Sequence, residues 1–249
     1  RLVRMTDEVG HLVLRDNYLQ TLAISLAEAH GAAALDAQGR LLRMLEKSGR
    51  LNRKVEFLPD DETLVERAAA KRGLTRPELA ILMSHAKLWL YDEILPSDLP
   101  DDPYLERDLI AYFPKILGET YAAATRGHRL RREIIATGIT NALINRAGAT
   151  FALETMERTG ATAAVLARAF VVIREAFALD GLWAEIEALD GKVPAAAQAI
   201  MMEEIKALLA RVTLWILRQP AALGIAAAVA ELKDGVVALA AGAEAVLPE

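Results

Sequence analysis

Four ionisable side chains, His85, Lys87, Asp92 and Glu93, fall within one helical stretch, and His85 and Asp92 are seven residues apart. That spacing puts them on one helix face. An imidazole and a carboxylate so placed could serve as general acid and base. The same spacing also describes the polar stripe of an amphipathic helix, which is the reading favoured here. A second group is basic: Arg126, His128, Arg129, Arg131 and Arg132. At the start of a helix it could attract an anion. It lacks the glycine-rich loop that would bring backbone amides to a phosphate. A solvated helix start, pairing with acidic neighbours such as Glu133, is expected instead.

Other candidates are weaker. His11 and His30 stand alone, with no second ligand at metal spacing. Asn141, Asn145 and Arg146 precede Gly148. They suit helix-end carbonyls or a bridge between helices better than a ligand. Trp89, Trp183 and Trp215 are not interleaved with basic residues, as a nucleic-acid stacking platform would need. Leu88-Trp89-Leu90 and Leu214-Trp215-Ile216 read as core. We assign no catalytic, cofactor-binding or metal-binding residue.

Composition narrows the classes further. Hydrophobic residues make up 53% of the 249, enough for a sizeable core. The net charge of -5 is spread along the chain, which argues against non-specific nucleic-acid binding. With no cysteine, disulfides and thiolate zinc sites are excluded. No basic-then-apolar segment opens the sequence, and no long apolar stretch runs free of charge. The nearest, 221–246, is broken by Glu231, Lys233 and Asp234. A cytoplasmic protein away from membranes is expected. The chain starts at Arg1, inside the approach to a helix, so we expect a piece of a longer polypeptide.

The elements that would position these side chains all read as helices. Thr6 is placed as a first cap, followed by Asp7 and Glu8. Val9, Leu12, Val13, Leu19, Leu22, Ala23 and Leu26 recur at helical spacing up to Gly31. A helix from 36 to 48 ends at Gly49, and 51–59 is a linker. A third helix starts at Asp60 or Asp61 and runs to about Gly73. Thr75 and Glu78 form a capping box, with Pro77 in the first turn and Leu74 and Leu79 spaced as a hydrophobic staple. That helix stops at Pro96. The stretch 96–103, PSDLPDDP, is a loop or hinge. Further helices follow at about 104–112, from Pro114, and at 128–147, 149–159, 162–178, 181–189, 194–219 and 222–246. Phe170-Val171-Val172-Ile173 is strand-forming in composition, but its flanking charges keep helical spacing. The fold expected is all-α, an irregular multi-helix bundle without a significant β-sheet. Residues 1–50 form a leading helical segment and 51–249 a helical domain, with the hinge candidate at 96–103.

Several long blocks then resemble one known family. They are RDNYLQTLAISLAE (15–28), LNRKVEFLPDDETLVERAAAKRGLTRPELAILMSHAKLWLYDEIL (51–95), DPYLERDLIAYFPKIL (102–117) and HRLRREIIATGITNALINRAGATF (128–151). In this order they resemble the C-terminal segment of the large bacterial NAD-specific glutamate dehydrogenases, over about 15–219. The alanine-rich tail from Pro220 is less diagnostic. The resemblance implies a parent enzyme that oxidises L-glutamate to 2-oxoglutarate and ammonia with NAD. It also implies that the dinucleotide-binding fold and the catalytic lysine lie upstream, so no family catalytic residue maps onto this chain. The cofactor expectation is therefore none for this segment and NAD for the parent. The family segment also extends past Glu249. The role expected is architectural, with effector signalling as an extension, the upstream catalytic domain as partner, and a homo-oligomeric parent. The segment by itself is expected to be inactive. The alternative is an independent all-helical interaction module without catalytic activity. A small helical enzyme lacks an assembled nucleophile, base or metal site.

Overall fold

The computed structural model describes residues 2–219 and 224–244, with the side chains of Glu119, Ala243 and Glu244 outside the description. The described residues are helical throughout, with thirteen α-helices, three short 3₁₀ turns and no strand. The all-α reading of the sequence is correct. The proposed start of the last helix at Ala222 and its end at Val246 lie outside the described residues. Two compact units divide at the start of the tenth helix, Arg1–Ala164 and Val165–Glu249.

The first unit begins with α1 (Leu2–Ala29). Thr6 does not cap it: its hydroxyl donates to the Leu2 carbonyl at 3.0 Å, from inside the helix. A Thr hydroxyl can bond back to a carbonyl from inside a helix as well as cap its start, so the sequence alone misread Thr6 as a cap. After a 3₁₀ turn at Gly31–Ala34, α2 (Leu35–Lys47) buries Leu41, Leu42 and Leu45. Gly49 then takes the left-handed conformation that a helix exit requires, at φ 71°. The linker that follows is a run of turns. The Asn52 side chain accepts from the Lys54 and Val55 N–H groups at 3.1 and 3.3 Å. Helix α3 (Asp61–Ala69) is capped by Asp60, which accepts from the Thr63 N–H at 2.8 Å.

Helix α4 (Arg76–Ile94) is the centre of this unit. It starts at the expected capping box, and Leu74 and Leu79 on either side of the cap are both buried. Its inner face carries Leu79, Leu82, Ala86, Trp89 and Leu90. The loop after Pro96 contains 3₁₀ turns at Leu99–Asp101 and Pro103–Leu105. Three short helices follow, α5 (Glu106–Tyr112), α6 (Lys115–Thr120) and α7 (Ala122–Arg126). The last of these was not foreseen. Helix α8 (Arg131–Ala147) packs on α4, α1 and α5, and α2 also packs on α4. Helix α9 (Phe151–Thr159) completes the unit.

Helix α10 (Ala163–Ala176) opens the second unit. Phe170, Val171, Val172 and Ile173 are buried on it, as a helix rather than a strand. Helix α11 (Leu179–Glu187) packs against α12 (Ala195–Ile216), and the Gln198 amide donates to the Ile186 carbonyl at 3.0 Å. Helix α13 (Ile225–Glu244) is the last described element.

Candidate functional site

His85 and Asp92 do share α4, but each is engaged elsewhere, and both turn to Arg50. The His85 Nδ1–H donates to the Arg50 carbonyl at 2.9 Å, and the Asp92 carboxylate pairs with the Arg50 guanidinium. His85 Nε2 lies 3.5 Å from a Glu56 carboxylate oxygen. The pair thus fastens the 50–59 linker to α4 and does not form an acid–base couple. Lys87, half-buried on the same helix, faces Asp16 of α1. Burial pushes its ammonium below the ordinary lysine range, and Asp16 partly opposes that.

Four of the five residues of the basic group before and at the start of α8, all but Arg129, are engaged by neighbours. Arg126 meets Glu106 at 2.7 Å. Arg132 pairs with Asp101 and donates to the Leu95 and Ser97 carbonyls at 2.8 and 2.9 Å. A cation is thereby placed on the carbonyl end of α4, where helix-end acceptors and the helix dipole favour it. Arg131 lies 4.0 Å from Asp101. The His128 ring accepts from the Leu130 N–H at 3.2 Å and tilts against Phe113. The sequence reading pointed to Glu133 as the acid. The partners are Asp101 and Glu106, brought in by the 96–105 loop, and no spacing rule announces them.

Two arginines that the sequence did not single out organise more than the candidates do. Arg53 bonds Glu46 at 2.7 Å, Asp61 at 3.0 Å and the Pro59 carbonyl at 3.2 Å, so one guanidinium ties the end of α2, the linker and the start of α3. Its hydrogen bond holds the Glu46 carboxyl below the usual range, and Asp61 is lowered the same way. Arg67 of α3 makes a two-pronged contact with Glu78 at 2.6 and 2.8 Å. Glu78 also accepts from the Thr75 N–H at 2.7 Å. Burial pushes the Glu78 carboxyl up, but the bonds from Arg67 and Thr75 outweigh it and leave the group below its ordinary value.

The remaining candidates lie along α1, α4, α8, α11 and α12. His11 and His30 bond back to the Asp7 and Leu26 carbonyls of their own helix, at 2.8 and 2.7 Å. Asn141, Asn145 and Arg146 occupy the last turns of α8, and the Asn145 Oδ1 is buried without a hydrogen bond. Trp89 and Trp183 are core residues, whereas Leu88 is 61% and Trp215 51% exposed, which corrects the assignment of both to the core. A long helix has two faces, and an apolar triplet such as Leu214-Trp215-Ile216 must send one member outward. In the second unit Arg174 is buried and meets the half-buried Glu175 at 2.9 Å. Among the described residues no group of three or more His, Asp or Glu side chains converges as metal ligands would. Among them, too, no helix is long and apolar enough to cross a membrane.

Comparison with known proteins gives one consistent answer. The family model "Glutamate dehydrogenase, C-terminal" matches residues 71–249. The NAD-specific glutamate dehydrogenase of Halomonas elongata is 45% identical over 218 residues, which is 88% of this chain and 14% of that protein. The protein of the same name from Pseudomonas aeruginosa is 46% identical over 217 residues, 87% of this chain and 13% of its own. That of Mycobacterium tuberculosis is 35% identical over 226 residues, 90% and 14% respectively. The chain thus spans about one seventh of the length of these relatives. With the family model matching residues 71–249, most of its length, this chain belongs to the glutamate dehydrogenase C-terminal family.

Proposed function

We propose that this chain is the helical C-terminal portion of an NAD-dependent glutamate dehydrogenase, and that its role there is architectural. The parent converts L-glutamate to 2-oxoglutarate and ammonia with NAD as hydride acceptor. The observation that carries the reading is the 45% identity to a protein named NAD-specific glutamate dehydrogenase, across 88% of this chain but 14% of that protein. Dinucleotides bind at the crevice of a parallel sheet, beside a glycine-rich turn. The described residues are helical throughout and present no such crevice, so we assign cofactor and chemistry to the rest of the polypeptide.

The ion pairs support an architectural role. Arg53, Arg67 and Arg132 each spend their donors on joining helices or loops within this unit, not on an open cleft. On this reading the partner is the upstream catalytic part of the same polypeptide, within a cytoplasmic homo-oligomer, with neither nucleic acid nor membrane involved. Transmission of an effector signal is an extension of that role. The test compares the full polypeptide with a truncation ending before Arg15. Loss of assembly or thermal stability in the truncation, with chemistry retained in whatever remains assembled, is the expected outcome. Unchanged assembly, stability and kinetics would overturn the reading.

A further inference from the structure

Helix α1 carries two apolar rows at intervals of seven, Leu12-Leu19-Leu26 and Leu2-Val9-Ala23, the second interrupted by Asp16. Residues seven apart lie nearly above one another on a helix, so each row is one line along one face. The C-terminal half of these lines is used within the unit. Ala23 is buried, Leu19 and Leu26 are half-buried, and α1 packs on α4 and α8. The two helices run antiparallel, because Glu28 meets Arg76 at the start of α4 at 2.7 Å while Asp16 faces Lys87 farther along it.

The N-terminal half of the same lines, with Val13 beside them, is largely uncovered. Leu2 is 72% exposed, Val9 44%, Leu12 37% and Val13 52%. A polar tether reaches it: the Glu8 carboxylate accepts from the Ile116 N–H at 3.5 Å. A contiguous apolar strip of this kind marks an interaction surface on a soluble domain. We propose that residues 2–13 of α1 continue the interface that 19–26 make inside the unit, and that their occupant is an apolar surface of the upstream part of the same polypeptide. The inference rests on the architectural reading above and names the surface through which it operates.

Two observations choose that occupant over a second copy. The uncovered strip is a direct extension of a packed one, so docking lengthens an existing interface. The matching relatives carry about six sevenths of their length outside this region, and the family model is of a C-terminal segment. An upstream part tethered through α1 is present at high effective concentration, which favours it over a separate chain.

The test is hydrogen exchange on the full, unaltered polypeptide, read in peptides covering residues 2–13. An uncovered helix end frays and exchanges within seconds, while a docked one is protected. We expect protection of at least a hundredfold. The Val9→Asp/Leu12→Asp variant should lose at least tenfold of it, together with protection in one upstream segment, at unchanged assembly mass. Rapid exchange at 2–13 in the unaltered polypeptide overturns the proposal without any variant having to fold. Protection that depends on protein concentration, with a lower mass in the variant, overturns it in favour of a second copy. Failure of the truncation experiment would leave this result standing, since α1 can dock even if the rest of the segment adds nothing to assembly.

Discussion

The backbones of Gly73 and Gly31 lie so close that a β-carbon on Gly73 would sit 2.7 Å from the Gly31 carbonyl carbon. Gly31 is itself left-handed, at φ 53°. The turn after α1 and the turn after α3 therefore touch main chain to main chain, and neither can yield as a flexible side chain would. Gly73→Ala should destabilise the unit by about 2 kcal/mol, the scale of overpacking in a tight site. Gly10→Ala is the contrast: it lies inside α1 with nothing near its missing β-carbon, and should stabilise by roughly 0.5–1 kcal/mol. Denaturant titration of both variants checks the pair, and a harmless Gly73→Ala would mean the turns are farther apart than found.

Glu78 does more than close a capping box, which reverses the order of effects expected from sequence. From the motif alone, Glu78→Ala should cost less than Thr75→Ala. In the fold, Glu78 also holds Arg67, and both side chains are largely buried. Thr75→Ala should cost about 1 kcal/mol, as the loss of a cap does. Glu78→Ala should cost about 2–3 kcal/mol, because it strands a guanidinium and a backbone N–H together. Amide exchange in α3 and α4 would report both; equal effects would mean that the Arg67 contact contributes nothing.

Acid should destabilise the first unit once pH falls below the ordinary carboxyl range. Glu46, Asp60, Asp61 and Glu78 all have carboxyls held below their ordinary values. Between the lowered folded value and the ordinary unfolded one, the unfolded chain binds more protons, so falling pH favours unfolding. The stability they supply is present above their ordinary values of 4.5 and 3.8 and is lost as pH falls through the folded ones. Glu78→Gln should flatten this limb in a pH series of thermal midpoints. An unchanged slope would show that the Arg67–Glu78 pair is not part of it.

Phe57 sits at φ 54° and is 90% exposed, an aromatic residue in a conformation that suits glycine. Its strain is not offset by burial of the ring within this unit. Phe57→Gly should therefore be neutral or stabilise by up to about 1 kcal/mol, the left-handed penalty less glycine's extra chain entropy. Marked destabilisation in a denaturant titration would show that the ring is packed in solution.

Lys87 tests the cost of a half-buried charge. With a lowered folded value, its penalty applies below that value and fades as pH rises towards the ordinary lysine range. Lys87→Met should raise the denaturation midpoint at neutral pH, because Asp16 is exposed and water can serve it once the ammonium is gone. The advantage should shrink in alkaline buffer. A lower midpoint would mean that the pairing with Asp16 outweighs desolvation.

Sequence by itself determined the helical class, most helix ends and the box at Thr75 and Glu78. These depend on residues within four positions of one another, where capping, proline geometry and periodicity act. It also carried the family, through blocks read in order. It misplaced the α1 start at Thr6, because a hydroxyl inside a helix and one at its end look alike. It missed the short helix α7 and put Leu88 and Trp215 in the core. The partners of the charged groups were decided only by the tertiary structure: Arg67 for Glu78, Asp101 and Glu106 for the basic group, Arg50 for both His85 and Asp92, and Gly31 against Gly73. Apart from the eleven-residue Arg67–Glu78 step, these pairs are separated by roughly 20 to 42 residues. No local rule fixes such a distance; the packing of α4 against α8, α2 and α1 does.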